Sequence, residues 1–290
     1  MSFTVVLQAL ITGLLIGGLY ALVSSGLQII MGVMNIINFA HGEFLMLALY
    51  LAYFLCAFLH FNVYMTVLVT IPVLFVFGAL VFQGTIKRAL RKPMLVQIIL
   101  TLGLSMFLQG FATAAFKADV RSVKNPYADM TWHVGGLYIS VTYVIAFVGS
   151  CLAFAFLWWI LNKTETGRSL RASAMNPLAA QLMGIDIRKT YLLAFGIGSA
   201  LVGLAASLMI PFSYATPVSG AWFGLLAFFV IVLGGSTSLM GCFLGGLIIG
   251  VSESLGAALL PGSLSRVCVF VVFILFLMFR PEGIMKRRSA

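Results

Sequence analysis

Charge is what this sequence has least of. Only 8% of its 290 residues are Asp, Glu, Lys or Arg, against about 25% in soluble domains. Residues 1–86 hold one formally charged side chain, Glu43, and the stretches 44–86, 93–116, 130–162 and 190–252 hold none. A chain that is 62% hydrophobic with charge so sparse cannot surround a soluble core. It reads as all-α, a polytopic transmembrane helical bundle, because a span needs about 20 apolar residues. A β-barrel is excluded because the apolar runs do not alternate with polar residues.

Other absences narrow the chemistry. Gly-Lys occurs nowhere, so no P-loop cradles ATP. Neither H-E-x-x-H nor G-x-S-x-G is present, and His41, His60 and His133 are the only histidines. Cys56, Cys151, Cys242 and Cys268 are scattered through apolar runs without metal-ligand spacing and read as small buried hydrophobes. An enzyme is therefore not expected, nor a metal site or a cofactor. The start of the chain lacks a basic n-region, so the first hydrophobic run is expected to be a retained helix.

The net charge is +10, and most of the 17 Lys and Arg residues fall at 87–92, 163–189 and 280–288, each at the end of an apolar run. This is the positive-inside pattern. It places those segments and the C-terminus in the cytoplasm, and it gives no stripe for nucleic acid. Spans are expected near 6–31, 44–60, 63–82, 95–116, 138–161, 191–212, 222–239, 241–260 and 266–280, with 117–137 as an external loop. The expected total is eight to ten membrane elements, one of them broken or re-entrant, in a single domain over 1–290. Gly13 and Gly17, Gly241 and Gly245, and Gly246 and Gly250 are spaced for close helix packing.

Two features stand out from the apolar background. The first is a polar island, Asn35 to Glu43, containing Asn35, Asn38, His41 and Glu43. Polar groups in a membrane domain mark a path, a pairing or a surface. One reading lines a translocation path with them. The other makes them a helix start near the cytoplasmic surface, with Glu43 in a first turn that favours negative charge. The topology above puts 32–43 on the cytoplasmic side. Glu253, following the long uncharged run, is expected to pair with Arg266, a partner subunit or water.

The second feature is the cytoplasmic segment 162–190. Thr164 or Thr166 is suited to cap one short helix, and Asn176 another with Pro177 at its first position. Gly184 is suited to end the second helix, and Asp186 to cap the next membrane helix. Small residues with Leu and Met knobs suit docking into a groove of another protein, or packing on the chain's own domain.

The runs Gly18-Leu19-Tyr20-Ala21-Leu22 and Asn38-Phe39-Ala40-His41-Gly42-Glu43 resemble the inner-membrane permeases of branched-chain amino acid ABC transporters, LivH-type. The resemblance continues through Thr166-Gly167, Arg171-Ala172, Asn176, Ala179-Ala180 and Met183-Gly184-Ile185. It reaches Leu233-Gly234-Gly235, Gly241, Gly245-Gly246, Gly250, Glu253 and Arg280-Pro281-Glu282-Gly283. The chain departs from the family's pattern at Thr237-Ser238-Leu239 and at Cys242-Phe243, where helices pack or line the path, while the usual small-residue run after Gly203-Leu204-Ala205 continues with Ala206-Ser207.

The resemblance implies a permease subunit of an ATP-driven importer for branched-chain amino acids or related small amino acids and amides. It implies a second homologous permease, two ATP-binding cassette ATPases and a periplasmic substrate-binding protein as partners. The setting it implies is the bacterial inner membrane. The 162–190 loop would then engage the ATPase through Thr166, Gly167, Arg168, Arg171, Ala172, Met175, Asn176, Pro177, Ala179, Ala180, Met183 and Gly184. Asn35, Asn38, His41, Glu43 and Glu253 would stand at the path or its inner mouth. The competing expectation is a stand-alone ion-coupled secondary transporter of small polar solutes, which would have to rely on Glu43 and Glu253.

Overall fold

The structure is a computed structural model and describes residues 3–90, 92–127, 130–236, 238–260, 264–280 and 283–285. Among the described residues nine apolar helical segments run through the bundle, each within a few residues of an expected span. They are α1 (Phe3–Met34), α2 (His41–Leu59), α3 (Val67–Val81), α5 (Met94–Phe116), α6 (Val141–Lys163), α9 (Ile187–Met209), α10 (Ser219–Gly234), α11 (Leu239–Leu259) and α12 (Ser265–Phe279). A π-helical turn, Phe82–Ile86, and the short α4 (Lys87–Ala89) prolong α3, so that span runs Val67–Ala89. Seven of the nine are long and apolar enough to cross a membrane, and α10 and α12 are shorter. Between α6 and α9 lie α7 (Glu165–Met175) and α8 (Pro177–Leu182).

The segment 117–140, expected as plain loop, contains short strands. β1 (Arg121–Ser122) pairs antiparallel with β4 (Tyr214–Ala215), and β2 (Thr131–Val134) forms a hairpin with β3 (Leu137–Ser140). Gly135 and Gly136 make that hairpin's two-residue turn with φ of 56° and 84°, which residues bearing a Cβ adopt reluctantly. Strands this short are too brief for alternation to announce them. Gln8 near the start of α1 exchanges hydrogen bonds with both backbone groups of Tyr138. The start of α1 therefore lies on the hairpin's face of the bundle, opposite the described basic segments.

Small residues set the helix spacing. Gly13 and Gly17 of α1 meet Gly250 and Gly246 of α11 backbone to backbone, and Gly241 and Gly245 do the same against Gly234 and Val230 of α10. The glycine pairs noted in the sequence thus pack within one chain. At the basic face, Ile284 N–H donates to the Leu233 carbonyl at 2.9 Å, covering an open carbonyl at the end of α10. Arg91, Asp129, Thr237, Pro281, Glu282 and the 286–288 basic cluster lie outside the described residues, so the corresponding sequence expectations have no structural counterpart here.

The core centres on α2. Its residues His41 through Met46 are all buried, as are Ala48, Leu49, Tyr50 and Ala52. Phe44 stands edge-on to Phe77 of α3 at 5.2 Å and to Phe195 of α9 at 6.0 Å, a preferred aromatic geometry. With α3, α5, α9 and α10 packed against it and His41 reaching the Val23 carbonyl of α1, α2 lies at the centre of the bundle.

Candidate functional site

The depth of the polar island follows from its contacts. Ser105, the middle residue of α5, donates its hydroxyl to Glu43 Oε1 at 3.2 Å. Gly198, the middle residue of α9, packs on Gly26, whose other close neighbour is the His41 ring. His41 Nε2 lies 3.0 Å from the Val23 carbonyl. Helix α2 therefore begins at mid-depth of the bundle. This corrects the expectation that 32–43 lies wholly on the cytoplasmic side.

The physical reason is the segment 35–40. It leaves α1 at Asn35, in the left-handed region at φ 54°, and has no helix until His41. Such a segment rises about 3.3 Å per residue when extended, so six residues carry the chain from the basic face back to the middle. Irregular backbone at that depth survives only where protein or a water-filled cavity satisfies it. Here Thr101 donates to the Ile37 carbonyl at 3.2 Å, Asn38 Oδ1 accepts from Ala40 N–H at 3.2 Å, and Asn38 O accepts from His41 N–H at 3.3 Å. The expected broken element is this one.

The island's side chains are more buried than satisfied. Glu43 is 1% exposed and its Oε2 has no partner. Asn38 Nδ2 and His41 Nδ1 are likewise buried without partners. No ion pair reaches Glu43 among the described residues. Asn35, by contrast, is exposed at the basic end. Unpaired donors and acceptors at mid-depth are costly, so such groups commonly serve water or a solute.

Glu253 does not join this group. It sits in the half of α11 nearer the hairpin face, where Tyr20 Oη donates to Glu253 Oε2 and the Trp222 side chain lies alongside. Arg266 is stacked over the Trp222 ring at 4.6 Å rather than bridged to the carboxylate. The expectation of a pair with Arg266 is replaced by this Tyr–Trp cradle, and Glu253 is away from the inner mouth.

The 162–190 segment folds as its caps indicate. Thr164 Oγ1 accepts from Gly167 N–H at 3.1 Å, Asn176 Oδ1 from Ala179 N–H at 3.0 Å, and Asp186 Oδ1 from Arg188 N–H at 3.0 Å. Gly184 turns at φ 86°. Helix α7 is anchored to the bundle through Leu170, Gly167 and Ser173, all buried. Gly167 packs on the carbonyls of Ile160 and Leu161, and Ala180 is also buried. These two fix the elbow instead of presenting a surface.

Thr166 and Ala172 are half-buried, and Pro177 and Ala179 are exposed. Arg168 pairs with Glu165 at 3.5 Å, and Arg171 donates to Asn162 Oδ1 at 2.7 Å. What protrudes is apolar: Met175, Leu178, Leu182 at 81% and Met183 at 84% exposure. Leu178 and Leu182 were missing from the sequence-derived set, although their i,i+4 spacing on a capped helix already placed them on one face.

Residues 9–277 match the family described as branched-chain amino acid transport system, permease component. The chain belongs to that family. It is 31% identical to the high-affinity branched-chain amino acid transport system permease protein BraD of Pseudomonas aeruginosa, over 97% of this chain and 96% of that one. It is 31% identical to the LivH permease of Escherichia coli over 99% and 97% of the two chains. The probable LivH permease of Methanocaldococcus jannaschii is 30% identical over 92% and 88%. No solved structure matches the chain.

As a member of this permease family the chain is a multi-pass integral membrane protein and a transport subunit, not an enzyme. The family works in transporter complexes whose ATP hydrolysis resides in separate subunits and which use a substrate-binding partner.

Proposed function

We propose that this chain is one of two homologous permease subunits, forming a heterodimer that imports branched-chain amino acids or related small amino acids and amides. The whole chain forms one transmembrane domain in the cytoplasmic membrane, with its basic segments and C-terminus facing the cytoplasm. The segment at 162–190 seats one ATPase subunit, and the partner permease seats the second. Asn38, His41 and Glu43 face the path at mid-depth, and Asn35 stands at its inner mouth.

The observation that carries the reading is the α7–α8 elbow. Its base is locked into the bundle by Leu170 while four large apolar side chains stand in the open. Exposed Met and Leu on a rigid short helix match helix-in-groove recognition. The charge pattern supports the orientation.

The experiment is affinity purification of the tagged chain from its own cells in mild detergent. ATPase and second-permease subunits should co-purify. Leu182→Asp with Met183→Asp should release the ATPase and leave the permease pair intact, since neither residue packs in the core. Uptake by this chain alone in liposomes, independent of ATP, would instead establish a secondary transporter.

A further inference from the structure

An open cleft lies on the hairpin face, far from the island. It measures about 390 Å³ and sits where the end of α2 meets the segment 122–127, within the usual range for small-molecule sites of about 300–1,000 Å³. Its polar wall carries Lys124, His60, Asn62 and Tyr127. Lys124 has no ion pair among the described residues. Asn62 Nδ2 donates to the Tyr127 hydroxyl at 3.4 Å, which leaves the phenolic O–H to donate elsewhere. His60 ends α2 in the left-handed region at φ 51° and lines the cleft. The rest of the lining includes apolar side chains, aliphatic at Ala57, Val123 and Pro126 and aromatic at Phe61, together with Cys56.

The floor is held firmly. Asn125 ties the loop to the Pro211 carbonyl at 2.7 Å and accepts from Tyr127 N–H at 2.8 Å. Tyr64 stacks obliquely on Tyr127 at 5.5 Å. Tyr53 lines the cleft and has the Arg121 guanidinium 5.9 Å from its ring centroid; Arg121 is itself paired with Asp119 at 3.5 Å, which leaves Lys124 as the unpaired cation of the lining. A cation and a hydroxyl donor sharing a space of this size with aliphatic lining suit one chemistry: a carboxylate on a short aliphatic body.

We propose that this cleft is an entry subsite for a small aliphatic amino acid on its way from the external face into the path. The inference rests on the importer reading above. The carboxylate lies against Lys124 with Tyr127 donating to it, and the aliphatic side chain covers Ala57 and Phe61. The same chemistry could be supplied by an acidic side chain of the delivering protein. The aliphatic lining favours the free solute, because an Asp or Glu side chain has no branched apolar end to cover it.

The test uses the intact complex in nanodiscs without its binding protein. Equilibrium binding of radiolabelled leucine is measured by scintillation proximity. Saturable binding in the roughly millimolar range is expected, as befits one exposed charge contact. Lys124→Ala should weaken it at least fivefold, and Lys124→Arg should retain it. Unlabelled 4-methylpentanoate should compete, whereas isoamylamine, which lacks the carboxylate, should not. Leucine should also slow maleimide modification of Cys56, read residue by residue by mass spectrometry.

Absence of saturable binding, binding indifferent to Lys124→Ala, or competition by isoamylamine would overturn the subsite. Displacement of leucine by ligand-free binding protein with no protection of Cys56 by leucine would assign the carboxylate to the protein and likewise overturn it. ATP-driven uptake by the same preparation with its binding protein restored judges the importer reading separately. Uptake without saturable binding sinks the subsite alone, and binding without uptake sinks the importer.

Discussion

Replacing Gly42 with alanine adds one methyl group at the point where α2 starts. An ideal Cβ there stands 2.6 Å from Gly224 N and 2.8 Å from Gly224 Cα, and closer still to the Gly220 carbonyl oxygen. All three neighbours are backbone atoms of α10, so no side chain can rotate away. Ordinary contact begins near 3.4 Å, so α2 and α10 must part by more than an ångström at the Gly220 carbonyl. They are held by burial on both sides, and forcing a methyl group into such packing costs about 1–3 kcal/mol. Alanine's better helix propensity returns at most about 1 kcal/mol.

The expected net loss for Gly42→Ala is therefore up to about 2 kcal/mol, together with displaced His41 and Glu43 and reduced uptake. The matched control is Gly103→Ala, in the middle of α5, where a Cβ meets nothing within 4 Å among the described residues. That change should be neutral or stabilising by up to about 1 kcal/mol. The assay is fluorescence-detected size-exclusion chromatography of tagged chains after a temperature series, which ranks midpoints without requiring reversible unfolding. A midpoint for Gly42→Ala at or above that of Gly103→Ala would refute the backbone-contact argument.

Two further outcomes are expected. Asn38→Ala removes one buried hydrogen bond to Ala40 N–H, worth about 1 kcal/mol, so the complex should assemble at normal abundance while uptake falls at least tenfold; loss of the assembled complex would show a purely architectural role. Tyr20→Phe strips Glu253 of its tyrosine donor and should destabilise by about 1–3 kcal/mol, whereas the double change Tyr20→Phe with Glu253→Met, which makes both partners apolar, should recover most of that loss. A double variant no more stable than Tyr20→Phe would count against the cradle.

The placement of helices was legible because lipid is an unforgiving solvent: a span must be long, apolar and internally hydrogen-bonded. The caps at Thr164, Asn176 and Asp186 were legible because each acts within three residues of itself. Two-residue strands and the Gly135-Gly136 hairpin were not, since their signal is shorter than any period.

The site divides the same way. Composition and local spacing by themselves determined a helical membrane bundle, its basic face and the shape of its α7–α8 elbow, because those depend on neighbours along the chain. The order Asn38, His41, Glu43 could not disclose its depth. That was decided by six non-helical residues folding back between α1 and α5, by Ser105 at the midpoint of α5 bonding Glu43, and by Gly26, packed on the midpoint of α9 at Gly198, meeting the His41 ring. Tertiary structure alone also parted Glu253 from the island and gave it to Tyr20 and Trp222. Contacts between residues more than 200 positions apart leave no trace in local pattern.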